Sequence, residues 1–122
     1  MRRRLILPLA LLLMGQDLPR PRCDLGAGFA GLAEAERLVG RRVASLAEGR
    51  ALGEAILAEL RPLPGRFSGC GCARVGELLG EALEVAGPAA SESSAARIAA
   101  VLEQLRFRLH LARQGFAATG CR

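Results

Sequence analysis

Three stretches of the chain place apolar residues at three- and four-residue intervals, the spacing of one face of an α-helix. In the first, Gly26 to Leu60, that face comprises Leu32, Ala35, Val39, Val43, Leu46, Gly53, Leu57 and Leu60. Charged residues lie between them, among them Glu34, Glu36, Arg37, Arg41, Arg42, Glu48, Arg50, Glu54 and Glu59. The β-branched apolar residues here are only Val39, Val43 and Ile56, which disfavours strands. Gly40 and Gly49 are the two points at which a helix of this length could bend or stop.

Arg61-Pro62-Leu63-Pro64-Gly65 terminates the stretch, because proline removes a backbone donor and restricts the residue before it. Arg66 to Cys72 is expected to be a loop. The second helix is expected over Ala73–Ala86, with Val75, Leu78, Leu79, Ala82 and Val85 inward and Glu77, Glu81 and Glu84 outward. Gly87-Pro88 ends it. Ser91 to Ser94 supplies N-cap candidates for the last helix, expected to run to about Gly115. Its stripe is Ile98, Leu102, Leu105, Leu109 and Ala112, with Val101 beside it and Phe116 extending it. The fold class that follows is all-α: a small antiparallel bundle of three to four helices over residues 26–122.

The N-terminus follows a different pattern. Met1-Arg2-Arg3-Arg4 precedes an apolar run from Leu5 to Met14 broken only by Pro8, then Gly15. A basic segment followed by about ten apolar residues has the arrangement of a secretory signal peptide, and is half the length needed to span a bilayer. Residues 1–15 are therefore expected to be a signal peptide, and residues 16–25 an extended leader containing Pro19 and Pro21. No Ala-x-Ala is present; Leu13-x-Gly15, with cleavage before Gln16, is the best small-residue site. Arg2-Arg3 loosely resembles a twin-arginine signal, and an uncleaved inner-membrane signal anchor is the alternative location. The expected location is exported, periplasmic or secreted, with no stable membrane span after cleavage.

Export changes what the charge means. The whole chain carries 17 basic and 12 acidic residues, a formal +5, and every basic residue is Arg. Without residues 1–15 the balance falls to +2, and from Cys23 onward to +1. A nearly neutral domain with four Phe and no Trp or Tyr gives no reason to expect a nucleic-acid partner.

Four cysteines, Cys23, Cys70, Cys72 and Cys121, flank the predicted helices. An even number in a short exported chain points to disulfides, here of three conceivable connectivities. Closing Cys70 on Cys72 makes a small strained ring. The expected bridges join one member of Cys70-Gly71-Cys72 to Cys23 and the other to Cys121. Were residues 26–60 one straight helix, Cys23 would lie about 50 Å from Cys70 at a rise of 1.5 Å per residue, far beyond bridging distance. A turn near Gly40 or Gly49 would instead bring all four cysteines to one end of an up-down-up-down bundle. A single kinked helix with one sound bridge is the competing fold.

Candidate chemistry is sparse. Cys70-Gly71-Cys72 could be a redox dithiol or, with Cys23 and Cys121, a soft-metal site. Structural bridges are the simpler reading. The one histidine, His110, lies off the apolar stripe near Glu103, Arg106 and Arg113 and has no nucleophile beside it in the pattern. The acids stand singly at surface spacing, with Arg74 and Arg97 as partners. Ala73, Gly76 and Gly80 read as close helix packing. No catalytic, cofactor or metal residue is expected, and no cofactor. The functional expectation is a small exported, non-catalytic binding or accessory protein with a protein or cell-envelope partner; the alternative is thiol-redox or soft-metal handling at Cys70-Gly71-Cys72.

Overall fold

Asp24 accepts a hydrogen bond from the Ala27 amide at 2.9 Å and starts helix α1, Leu25–Val39, one residue earlier than the sequence pattern indicated. The computed structural model describes residues 23–121; the signal peptide expected over residues 1–15 and most of the leader lie outside the described residues. The first apolar stretch divides at Gly40. A short linker leads to Ser45, whose hydroxyl accepts from the Glu48 amide at 3.2 Å and starts α2, Leu46–Leu60. The break corrects the single kinked helix. Gly49, the other candidate, is buried inside α2, where a Cβ would meet Ile98 Cδ1 and Val43 Cγ1, each at 2.8 Å.

The segment around Pro62 and Pro64 departs from expectation. It is not a loop as far as Cys72; Leu63–Gly69 forms a short helix, α3. Proline is tolerated in a first helical turn, whose amides have no intrahelical partner, so Pro64 can start this helix as readily as Pro62 ends the previous one. Leu63 and Phe67, one turn apart, are fully buried and tie α3 to the core.

Helix α4 occupies Ala73–Ala86 as predicted, and the chain continues through a 3₁₀ turn, Gly87–Ser91. Ser94 caps the last helix, α5, Ala95–Thr119, accepting from the Arg97 amide at 3.1 Å. Helix α5 runs four residues past Gly115.

The described residues are all-helical, and four long helices run up, down, up and down. The core joins Leu32, Ala35 and Val39 of α1, Ile56, Leu57 and Leu60 of α2, Val75, Leu79 and Ala82 of α4, and the whole predicted α5 stripe. Val85, expected inward, is only half-buried, and Ala86 takes the buried place. No polar or charged side chain is buried among the described residues, so the interior is held by aliphatic packing without a polar network. Ion pairs lie on the rim: Arg113 with Glu36 links α5 to α1 at 2.6 Å, and Arg108 with Glu81 links α5 to α4 at 3.0 Å. Arg74 pairs with Glu77 as expected, whereas Glu81 takes Arg108 and not Arg97.

Candidate functional site

All four cysteines meet at one pole of the bundle. Cys23 bonds to Cys70 and Cys72 to Cys121, with Cα separations of 4.9 and 3.9 Å. The connectivity follows from how Cys70-Gly71-Cys72 ends α3. The Gly71 amide donates to the Ser68 carbonyl, and the Cys72 amide donates past it to the Phe67 carbonyl at 2.9 Å. This pair of bonds is a Schellman cap, which places the residue after the cap in the left-handed region. Gly71 has φ +81°, a conformation glycine adopts without cost. The reversal sets Cys70 on the side of the α1 N-terminus. It directs Cys72 inward, 1% exposed, at the start of α4 and beside the end of α5.

Beneath the bridges lies an aromatic cluster. Phe29 meets Phe67 edge-to-face at 5.2 Å between centroids and Phe116 at 4.7 Å. Helix α3 reaches this depth because its neighbours lack side chains where it crosses them. A Cβ on Gly28 would lie 3.0 Å from the Phe67 ring, and one on Gly31 2.6 Å from Leu63 Cδ2. On the other side a Cβ on Gly76 would strike Ser68 Oγ and come within 3.0 Å of the Pro64 carbonyl. Sequence reasoning placed Gly76 in close packing but did not foresee α3 as its occupant. The signal available was the Gly28/Gly31 pair facing an apolar, proline-started segment.

The chemistry open to this pole follows from the bridging. A cysteine in a disulfide has no thiolate to attack a substrate or hold a soft metal, and the described residues include no free cysteine. Among the described residues no group of three or more His, Cys, Asp and Glu is arranged to hold a metal ion. The two bridges differ in access: Cys23 is exposed and Cys70 half-buried, whereas Cys72 is buried and Cys121 half-buried.

His110 is exposed on α5 at a depression of about 220 Å³ lined by Glu36, Val39, Arg106 and Leu109, with no Ser or Cys beside it. At the pole opposite the cysteines, a shallow groove of about 410 Å³ carries Arg41, Arg42 and Arg106 against Glu103. Its cations are exposed, and no buried polar group is aimed into it. The clearest electrostatic perturbation is also superficial. A hydrogen bond from Arg37 holds the Glu34 carboxyl below its ordinary range, and the same bond raises Arg37. Among the described residues no helix is long and apolar enough to cross a membrane. No family model, curated protein or solved structure gives a significant match to this chain.

Proposed function

We propose that this is a small exported protein without catalytic activity, which acts by binding a protein or cell-envelope partner. The observation that carries the reading is the engagement of all four cysteines in two bridges at one pole. Disulfides persist in oxidising compartments and are rare where glutathione and thioredoxin keep thiols reduced. A basic segment followed by a short apolar run at residues 1–15 supplies the export route. The non-catalytic half of the proposal is supported by the interior. Among the described residues the core holds no polar or charged side chain that burial could tune for acid–base chemistry, and His110 stands in solvent.

The test is to express the full chain in an export-competent bacterium and measure intact mass and thiol labelling without reductant. The proposal predicts a mature chain beginning near Gln16, lacking four hydrogens relative to the reduced form and unreactive to thiol reagents. A full-length cytoplasmic product with four free thiols would overturn export. Thiols that cycle with a redox buffer, or copper or zinc retained through purification, would favour redox or metal handling at Cys70 and Cys72.

A further inference from the structure

The positive charge of the domain is concentrated at one place. From Cys23 onward the balance is only +1, with 12 Arg against 11 acids. The groove at the pole opposite the cysteines nevertheless holds +2, from Arg41, Arg42 and Arg106 against Glu103. The rest of the domain is therefore slightly negative. Arg37, Arg74, Arg108 and Arg113 each pair with a glutamate, and Arg50 donates to the Glu92 carbonyl. Arg41 and Arg42, neighbours in the linker between α1 and α2, are exposed and make no ion pair or side-chain hydrogen bond among the described residues. Glu103 already faces Arg106 at 3.5 Å and leaves these two cations uncompensated. Arg41 also bears on Glu34, but a hydrogen bond from Arg37 holds that carboxylate.

The groove of about 410 Å³ sets these cations around an apolar floor. Val39 and Leu102 are buried beneath it, Val43 is half-buried, and Ala99 is exposed along α5. On the other side of the linker, Arg41 and Arg42 border a second hollow of about 320 Å³, walled by Ala51, Leu52 and Ala55 of α2, with Glu48 its one acid.

We infer that the larger groove docks the phosphate headgroup of an anionic membrane lipid. Guanidinium groups match phosphate oxygens in charge and in planar, two-donor geometry. Three of them gathered at one hollow suit a single anion with several oxygens, whereas an extended acidic segment would call for cations spaced along a track. The apolar floor suits the glyceryl ester that carries the phosphate. With no buried polar group aimed into the groove, the headgroup stays at its membrane surface and the protein comes to it. Attraction from so few basic residues is weak and reversible, and depends on the density of anionic lipid. The inference deepens the proposed binding role by giving the envelope partner a chemistry, and rests on that reading for access to such a lipid.

Cosedimentation of the purified oxidised protein with vesicles of phosphatidylcholine, with and without phosphatidylglycerol, tests it. Binding is expected on the anionic vesicles only, falling as salt rises. Arg41→Gln/Arg42→Gln should weaken it about tenfold or more, since each basic residue near an anionic surface contributes several-fold. Arg61→Gln/Arg66→Gln removes the same charge from exposed residues at the cysteine pole and should change binding by less than about twofold. Ala99→Glu puts a carboxylate into the groove from an exposed position and should match the loss at Arg41 and Arg42, while Ala99→Gln should bind like the parent. All are surface changes, so each variant is expected to keep its helical circular dichroism and both bridges. Equal binding to neutral vesicles, or equal losses in the two arginine pairs, would overturn the inference. Full displacement by millimolar glycerol phosphate would assign the groove to a soluble phosphate and overturn the lipid. Tighter binding of polyglutamate, lost with Arg41 and Arg42, would assign it to an acidic protein segment and overturn it equally. A cytoplasmic product that still binds anionic vesicles through Arg41 and Arg42 would contradict export and support the site.

Discussion

The two poles of this bundle are held by different means. At the cysteine pole, two disulfides, three of the four phenylalanines and the short helix α3 converge on a glycine-lined notch. Among the described residues the opposite pole has no cross-link and no aromatic ring. There Ser45 and Ser94 cap α2 and α5, and Gly53 lets α2 approach the backbone of Ala89 and Ala90, where a Cβ would lie 2.9 Å from backbone atoms. The difference shows how a core built mainly of Ala and Leu becomes a defined fold. Aliphatic periodicity forms the helices and leaves their order around the axis weakly specified, since many aliphatic packings are nearly equivalent. The cysteine pole supplies the specification, through bonds only one arrangement can make and a notch only one segment fills.

The largest effect should come from removing the bridge between buried Cys72 and half-buried Cys121. Cys72 and Cys121 are separated by 49 residues, a loop worth about 4 kcal/mol in the chain-entropy model. The double variant Cys72→Ser/Cys121→Ser should melt about 15–30 °C lower by circular dichroism. Phe67→Ala should cost about 3–5 kcal/mol in urea unfolding, because the ring is fully buried and α3 depends on it. If both losses were small, the cysteine pole would not be the stronger end.

Two glycines one helical turn apart sharpen the comparison further. In Gly76→Ala the new methyl would meet Ser68 and the Pro64 carbonyl, and about 1–3 kcal/mol should be lost to overpacking. In Gly80→Ala nothing lies within 4 Å, and about 0.5–1 kcal/mol should be gained from the reduced backbone entropy of alanine. Substitutions of like sign would deny that α3 occupies the notch.

At the far pole, Ser45→Ala and Ser94→Ala should each cost about 1 kcal/mol through loss of an N-cap. Hydrogen exchange should show amides of Gly40–Ala47 and Ser91–Arg97 opening before those around Cys72. The smallest effect concerns Glu34. Its carboxyl is held below the ordinary value of 4.5 in the fold, so the unfolded chain takes up its proton first as pH falls. The stabilisation is present above that value and is lost as pH drops through the folded pKa. Melting scans from neutral pH to pH 3 should show Glu34→Gln losing slightly less stability than the parent, the difference being small because the pair is exposed.

Much of the fold was legible in the sequence because each signal was local or stoichiometric. The α5 stripe, the limits of α4 and the Gly40 alternative came from periodicity and from glycine and proline punctuation. The arrival of four cysteines at one pole came from chain length set against disulfide reach. Helix α3 was not legible: Pro62 and Pro64 read as terminators, and whether a proline ends one helix or begins the next depends on tertiary support, here from Gly28, Gly31 and Gly76. The two permitted pairings of Cys70 and Cys72 were also indistinguishable by composition. The Schellman cap decides between them, since Gly71 in the left-handed region turns the two neighbouring cysteines apart.

The most direct test of the account is the disulfide map. Cleavage after arginine in the oxidised protein releases Cys23 within residues 23–37, Cys70 and Cys72 together within 67–74, and Cys121 within 114–122. Mass spectrometry should find these three peptides joined as one species, and fragmentation at Gly71 should assign Cys23 to Cys70 and Cys72 to Cys121. An internal Cys70–Cys72 loop with 23–37 bonded to 114–122, or the exchanged pairing of Cys23 with Cys72, would contradict it.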